Sequence, residues 1–365
     1  YYYRVGTLWA RRLELNMKKN AAVIGYGGMG AGFHVKNLLT SDVCNLAGIY
    51  DIDEKKCELA RKNGIKVYSS REELLSDPTI DMVTIATPND VHEEIAIDAL
   101  NHGKNVISEK PVTLSSTDLQ AMIDVSIETG KVFSVHQNRR WDEDYLSIKK
   151  IYDENMLGPV FNIESRVHGS RGVPGDWRNK ALKGGGMILD WGVHMIDQML
   201  QLVNEDVVSV FCTVTHVTND EVDDGFSTVL TFASGLTGRI EVGTSNFINL
   251  PRWYMQGQNG TAVVRDWDMS GEIVKVSDWE KRDAVPVVTA AGLTKTMAPR
   301  TEETIKHYPL PRVESDVRDY YRNIAKAIRG EEKQIVTHPQ MMRVMKVMEA
   351  MFRSAEMNEV VHSRI

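Results

Sequence analysis

The sequence predicts a doubly wound α/β half with a parallel sheet, followed by an α+β half on an open-faced, mainly antiparallel sheet with helices on one face. Three observations predict it. Short β-type runs alternate with helical patterns up to about residue 137, the signature of βαβ units. Beyond that point strands follow one another with short turns, and helices return near the end, as in an antiparallel sheet covered on one face. The 365 residues leave room for two domains at roughly 150 residues each.

In the first half, Ala21–Gly25 reads as a strand ending in glycines, Met29–Leu39 as a helix and Val43–Tyr50 as the next strand. Glu54–Lys62 reads as a helix stopped by Gly64. Ile80–Ala86 is a continuous β-rich run, expected of a strand buried on both faces. Val91–Asn101 is helical before Gly103, Asn105–Ser108 is a strand, Ser115–Thr129 is a helix closed by Gly130, and Lys131–His136 is a strand. In the second half a helix is expected from about Asp144 to Asn155, then the strand Val160–His168 and, after a glycine-rich segment, the helix Met187–Leu202. Alternating runs then predict strands at Val207–Val217, Phe226–Phe232, Leu236–Thr244, Arg252–Gln256, Thr261–Val264 and Glu272–Val276. Asp283–His307 is polar and irregular and reads as a surface excursion; helices follow at about Ser315–Ile328 and Gln340–Glu356. The boundary is placed near Asn138, giving domains 17–137 and 138–365.

Composition excludes several classes. Acidic residues outnumber basic ones, 50 to 43, for a net charge of −7, which argues against a dedicated nucleic-acid binder. No apolar stretch of about 18 residues suggests a membrane span. Cys44, Cys57 and Cys212 are few and widely spaced, so neither a disulfide framework nor a structural zinc is expected, and a reducing, cytoplasmic setting is. Residues 1–16 (YYYRVGTLWARRLELN) have neither an apolar core nor a small-residue cleavage site. They are expected to be an upstream leader, with the fold beginning at Met17.

Gly25-Tyr26-Gly27-Gly28-Met29-Gly30 is a GxGxxG between a predicted strand and a predicted helix. In that context the first glycine permits a tight turn, the second lets the backbone approach a pyrophosphate, and the third lets helix and strand pack closely. The helix N-terminus supplies free N–H groups for phosphate. This makes the first half a dinucleotide-binding Rossmann domain. Asp51, with Ile52 beside it, ends the next strand, where an acid accepts the adenosine ribose hydroxyls. Two unit charges at about 4 Å in an effective dielectric of 20 repel by about 4 kcal/mol, so NAD is favoured over NADP. Lys55 and Lys56 follow closely, and helical geometry is expected to turn them into solvent.

Two further clusters carry chemistry. Ser108-Glu109-Lys110-Pro111 lies at a predicted strand end, the side of a doubly wound sheet where ligands bind. Gly184 to His194 (GGGMILDWGVH) places Asp190 and His194 four residues apart on one helical face. An acid beside a histidine orients the ring and raises its basicity, which suits proton transfer near neutral pH.

On these residues the chain resembles the Gfo/Idh/MocA oxidoreductases. The resemblance runs from about Lys18 to the C-terminus and includes GYGGMG at 25–30, YD at 50–51, ATPNDVH at 86–92, HGKNVISEKP at 102–111, NRRWD at 138–142 and GGGMILDWGVHMID at 184–197. It implies a nicotinamide-dependent enzyme acting on sugars, inositols or related polyols, and a homodimer or homotetramer formed through the second domain's sheet. It also implies that Lys110 touches the reacting hydroxyl or carbonyl, that Asp190 and His194 are the acid/base pair, and that Thr87, Pro88 and Asn89 lie beside the nicotinamide ribose. Trp141 and Trp191 depart from the commoner pattern.

Glu109 and His92 complete the expected cofactor set, His92 having a structural role as its alternative. Arg140, His168, Trp177 and Arg178 are candidate substrate contacts, with ordinary packing or domain-bridging roles as alternatives; no metal site is expected. The expected function is hydride transfer between NAD and a hydroxyl-bearing carbon of a sugar or polyol. Two alternatives stay open: a retained NAD that drives glycoside cleavage or a redox-neutral conversion, and a non-enzymatic NAD- and sugar-binding regulator.

Overall fold

The computed structural model describes residues 18–294 and 296–365; the leader expected at 1–16 lies outside them. The chain forms two compact units. The first comprises the described residues up to Asn138 together with Gly175–Val193 and Asp316–Glu349, and the second holds Arg139–Pro174, His194–Ser315 and Ala350–Ile365. A single linear boundary near Asn138 therefore omits two later returns of the chain to the first unit.

The first unit is built on β1 (Lys19–Ile24), β2 (Cys44–Tyr50), β3 (Met82–Ile85), β4 (Asn105–Ser108) and β5 (Phe133–Val135), all parallel in the order β2-β1-β3-β4-β5. Val67 adds an isolated parallel bridge to Ile49 outside β2. It stands where a Rossmann sheet carries its outer strand. The residues of β3 and β4 are all buried, as expected for strands covered on both faces. The helix Ser116–Thr129 starts where the Ser115 side chain accepts the Asp118 N–H, and it ends at Gly130 with φ of 64°, an αL stop. A short helix, Arg71–Ser76, was not foreseen; its Ser70 N-cap accepts the Glu73 N–H at 3.0 Å. The segment after the glycine loop opens with wide π-type turns over Gly30–Val35 before continuing as the α-helix Lys36–Leu39.

The second unit is a nine-stranded sheet. Its strands are β6 (Val160–His168), β7 (Val207–Thr215), β8 (Gly225–Phe232), β9 (Thr237–Gly243), β10 (Trp253–Gly257), β11 (Gly260–Val264) and β12 (Gly271–Val276), with two edge strands beyond them. The stretch expected to be irregular holds a small hairpin, β13 (Val287–Thr289) and β14 (Gly292–Thr294), and the edge strand β15 (Ile305–Tyr308). The strand β16 (Val361–His362) closes the other edge, giving the order β15-β12-β11-β10-β6-β9-β8-β7-β16. Neighbours are antiparallel except β6 and β9. Phe226, Thr228, Leu230 and Phe232 alternate inward along β8, the period-2 pattern of a sheet with one face in the core. Among the described residues no helix is long and apolar enough to cross a membrane.

Candidate active site

The glycine loop sits at the carboxyl end of β1. Gly25 has φ of +98°, and a Cβ there would lie 2.4 Å from the Ala86 carbonyl oxygen, just past β3. Only glycine tolerates both demands. A Cβ at Gly30 would lie 1.9 Å from the Gly25 oxygen. A Cβ at Gly28 would meet nothing within 4 Å, and one at Gly27 only the Lys56 Nζ at 4.0 Å. The loop is thus closed against the protein at its ends and open in the middle, the form expected of a backbone cradle for a pyrophosphate. Tyr26 is buried, and its N–H donates to Asp51 Oδ2 at 2.7 Å.

Asp51 ends β2 as expected, but its surroundings differ from the sequence reading. Its Oδ1 accepts the Asp53 N–H at 2.8 Å, and Lys56 Nζ stands 3.5 Å from Oδ2. Lys56 is therefore turned back onto the acid, while Ile52 and Lys55 are exposed. The cause is local: Asp53 caps the helix Glu54–Lys62 by accepting the Lys55 N–H, which brings the first turn against the end of β2.

Lys110 lies just past β4. Its Nζ donates to the Asp190 carbonyl at 2.9 Å and to Asp190 Oδ1 at 3.1 Å. The two side chains are only 14% and 13% exposed, so the pair is largely shielded from solvent. Arg178 Nε approaches the other carboxylate oxygen at 3.2 Å, while Arg178 Nη1 bonds Asp176 at 2.7 Å and its guanidinium lies over the Trp177 ring. Burial pushes the Asp190 carboxyl up, but Lys110 and Arg178 outweigh it and hold it below its ordinary value. Asp190 itself sits in a π-type turn, Ile188–Gly192, a distortion frequent at functional sites. The α-helix Val193–Leu202 follows, with His194 buried in its first turn. The single helix expected over 187–202 is thus wound in two ways.

Replacing Arg178 with methionine removes one of the two cations described against this shielded carboxylate. The acidic limb of the kcat/KM pH profile is expected to move to higher pH, because the ionised form loses a stabilising charge. A pH titration of initial rates checks this; an unmoved limb detaches Arg178 from Asp190.

Sequence reasoning missed the surroundings of Glu109. Its Oε1 accepts from His34 Nε2 at 2.7 Å and from His136 Nδ1 at 2.8 Å, its Oε2 accepts the Lys110 N–H at 3.2 Å, and Tyr321 Oη meets His34 Nδ1 at 2.6 Å. The two histidines and Glu109 are buried. Burial pushes the Glu109 carboxyl up, but His136 and His34 hold it well below the usual carboxylate range, while burial pushes His34 down. The donor atoms of His34, Glu109 and His136 lie within 4.8 Å of one another. At 2.7 and 2.8 Å they are hydrogen-bonded directly, too close for the ligand–ligand spacing of a metal ion. The cluster fixes the carboxylate next to Lys110 in the chain.

The remaining candidates separate. Asn89 Nδ2 donates to the Gly184 carbonyl at 2.9 Å, joining the loop after β3 to the glycine run before Asp190. Thr87 and Pro88 precede it, and the Thr87 carbonyl faces His92 Nε2 at 2.9 Å. The other His92 nitrogen faces the Pro111 carbonyl at 3.0 Å. Burial pushes His92 down, and an N–H on either ring nitrogen donates to the carbonyl that nitrogen faces. The ring braces the loops around Lys110. In the second unit, Arg140 is held by Asp197 in two bonds of 2.8 and 2.6 Å. There too His168 Nε2 bonds Glu241 at 2.9 Å, and its Nδ1 accepts the Leu250 N–H at 3.3 Å. Both have a carboxylate partner within that unit.

A phosphate cradle at one strand end, an acid at the next and a lysine–carboxylate pair beyond a third define a nicotinamide-dinucleotide oxidoreductase. The family profile "Oxidoreductase family, NAD-binding Rossmann fold" matches residues 19–137, and "GFO/IDH/MocA C-terminal domain" matches 145–263. The chain belongs to the Gfo/Idh/MocA oxidoreductase family. It is similar to the crystal structure of an NAD-binding protein from Listeria innocua, at 47% identity and a TM-score of 0.92 over 95% of this chain and 99% of that one. It is also 28% identical to scyllo-inositol 2-dehydrogenase (NADP(+)) IolW of Bacillus subtilis (strain 168), over 92% of this chain and 93% of that one. With scyllo-inositol 2-dehydrogenase (NAD(+)) of the same organism it shares 30% identity over 60% of this chain and 66% of that one.

Proposed function

We propose that this chain is a dehydrogenase that moves hydride between a nicotinamide dinucleotide and a hydroxyl-bearing carbon of an inositol, sugar or related polyol. In this reading the first unit holds the cofactor, and the second holds substrate and assembles the homo-oligomer through its sheet, in the cytoplasm. The observation that carries the reading is Lys110 Nζ held 2.9 and 3.1 Å from two Asp190 oxygens, on the end of the sheet that carries the glycine loop. The relatives named for inositol oxidation support the substrate class.

The bound dinucleotide supplies the hydride acceptor or donor. Lys110 stabilises the alkoxide that develops as a substrate hydroxyl loses its proton, a role suited to a fixed charge in a shielded site. Arg178, paired with Asp176 as well as Asp190, holds the Asp190 carboxylate in place and leaves Lys110 as the cation offered to that alkoxide. His194 takes the proton as general base and returns it in reduction. Glu109, clamped by His34 and His136, sets the backbone from which Lys110 projects.

Absorbance at 340 nm tests this with purified protein, NAD or NADP, and a panel of inositols, hexoses and sugar acids. Growth of reduced cofactor with one compound is expected. Silence across the panel with dinucleotide still bound to the protein contradicts a releasing dehydrogenase and favours retained-cofactor chemistry or a regulator.

A further inference from the structure

We propose that Lys56 forms the cofactor-selecting element with Asp51 and admits the 2′-phosphate of NADP as well as the ribose diol of NAD. The inference rests on the dinucleotide reading above. An acid ending the second strand normally excludes NADP by repelling that phosphate. Here the acid is not alone. Asp51 is 5% exposed at its side chain and already accepts two backbone N–H groups, from Tyr26 at 2.7 Å and Asp53 at 2.8 Å. Its remaining neighbour is Lys56 Nζ at 3.5 Å, on a side chain 43% exposed.

The pair is close to neutral in net charge, and its cation is the mobile, solvent-facing member. A lysine has three rotatable donors on a flexible stem, whereas Asp51 is fixed by the backbone. When a ribose diol occupies the strand end, Lys56 stays on the carboxylate and the diol uses the lone pairs the amides leave. When a 2′-phosphate arrives there, Lys56 turns to it, and its attraction follows the same inverse-distance law as the repulsion by Asp51. Lys56 Nζ also stands 4.0 Å from where a Gly27 Cβ would be, so it already borders the phosphate cradle. Lys55, one residue earlier, is exposed and shows no ion pair to Asp51.

The test is titration of NADH and of NADPH into the full-length protein, followed by nicotinamide fluorescence, which needs no substrate. Wild type is expected to bind both. Lys56→Ala is expected to raise the Kd ratio of NADPH to NADH by about tenfold or more, the range of one charge-assisted bond, and Lys56→Arg to keep the ratio near wild type. NADH binding with a ratio unmoved by Lys56→Ala, or exclusion of NADPH by wild type, overturns the assignment to Lys56. Failure of wild type to bind either dinucleotide overturns it by removing the dinucleotide reading itself. Lys56 projects from the surface, so circular dichroism of Lys56→Ala is expected to match wild type.

Discussion

Lys110→Ala lowers kcat by about 10³-fold, the range of a lost electrostatic stabiliser combined with a lost proton partner, while the protein still binds NADH. The size follows from geometry. Lys110 Nζ is the only described group donating to both the Asp190 carbonyl and its Oδ1, at 2.9 and 3.1 Å. Removing it deletes the cation proposed for the alkoxide and takes one of the two described cations, Lys110 and Arg178, away from Asp190. Lys110→Arg does not restore the rate, because a planar guanidinium cannot place one point charge where the ammonium stood. Steady-state rates on the reactive polyol, with NADH titration in parallel, check both statements. Turnover within tenfold of wild type contradicts the role given to Lys110.

The second large effect is expected at Gly30. A Cβ there falls 1.9 Å from the Gly25 carbonyl oxygen, a backbone atom that can yield only by moving the glycine loop. Gly30→Ala is expected to cost about 1–3 kcal/mol of stability by overpacking and to weaken NADH binding tenfold or more, at roughly 1.4 kcal/mol per decade. Gly28→Ala, where nothing lies within 4 Å, is expected to keep the wild-type unfolding temperature. Thermal unfolding of the pair by circular dichroism, with NADH titration of Gly30→Ala, measures the contrast. Equal unfolding temperatures for the two variants contradict the close approach at Gly30.

What the sequence made legible was local. The glycine loop, Asp51, the Glu109-Lys110-Pro111 turn and Asp190 each lie on a short pattern tied to a strand end or helix start, and the alternation of strands and helices placed those ends on a parallel sheet. The direction of Lys56 was not legible, because a helical phase argument ignores the Asp53 cap that rotates the first turn toward β2. Nor was the clamp on Glu109: His34 lies 75 residues away and His136 lies 27, and no local pattern links them. Arg140 and His168 were singled out for their positions near strand ends. Each is a buried polar group that found its counter-charge in its own unit, Asp197 and Glu241, as burial demands. The edge strands β15 and β16 were missed because strands of four and two residues are too short to carry a hydrophobic pattern.

The central claim is that hydride passes from a carbon of the polyol to a dinucleotide that then leaves. The most direct measurement is mass spectrometry of the reduced cofactor released when wild-type protein turns over the reactive polyol in ring-deuterated form. The account predicts reduced nicotinamide one mass unit heavier than from the ordinary polyol. Reduced cofactor without deuterium, or no released reduced cofactor with any polyol of the panel, contradicts it.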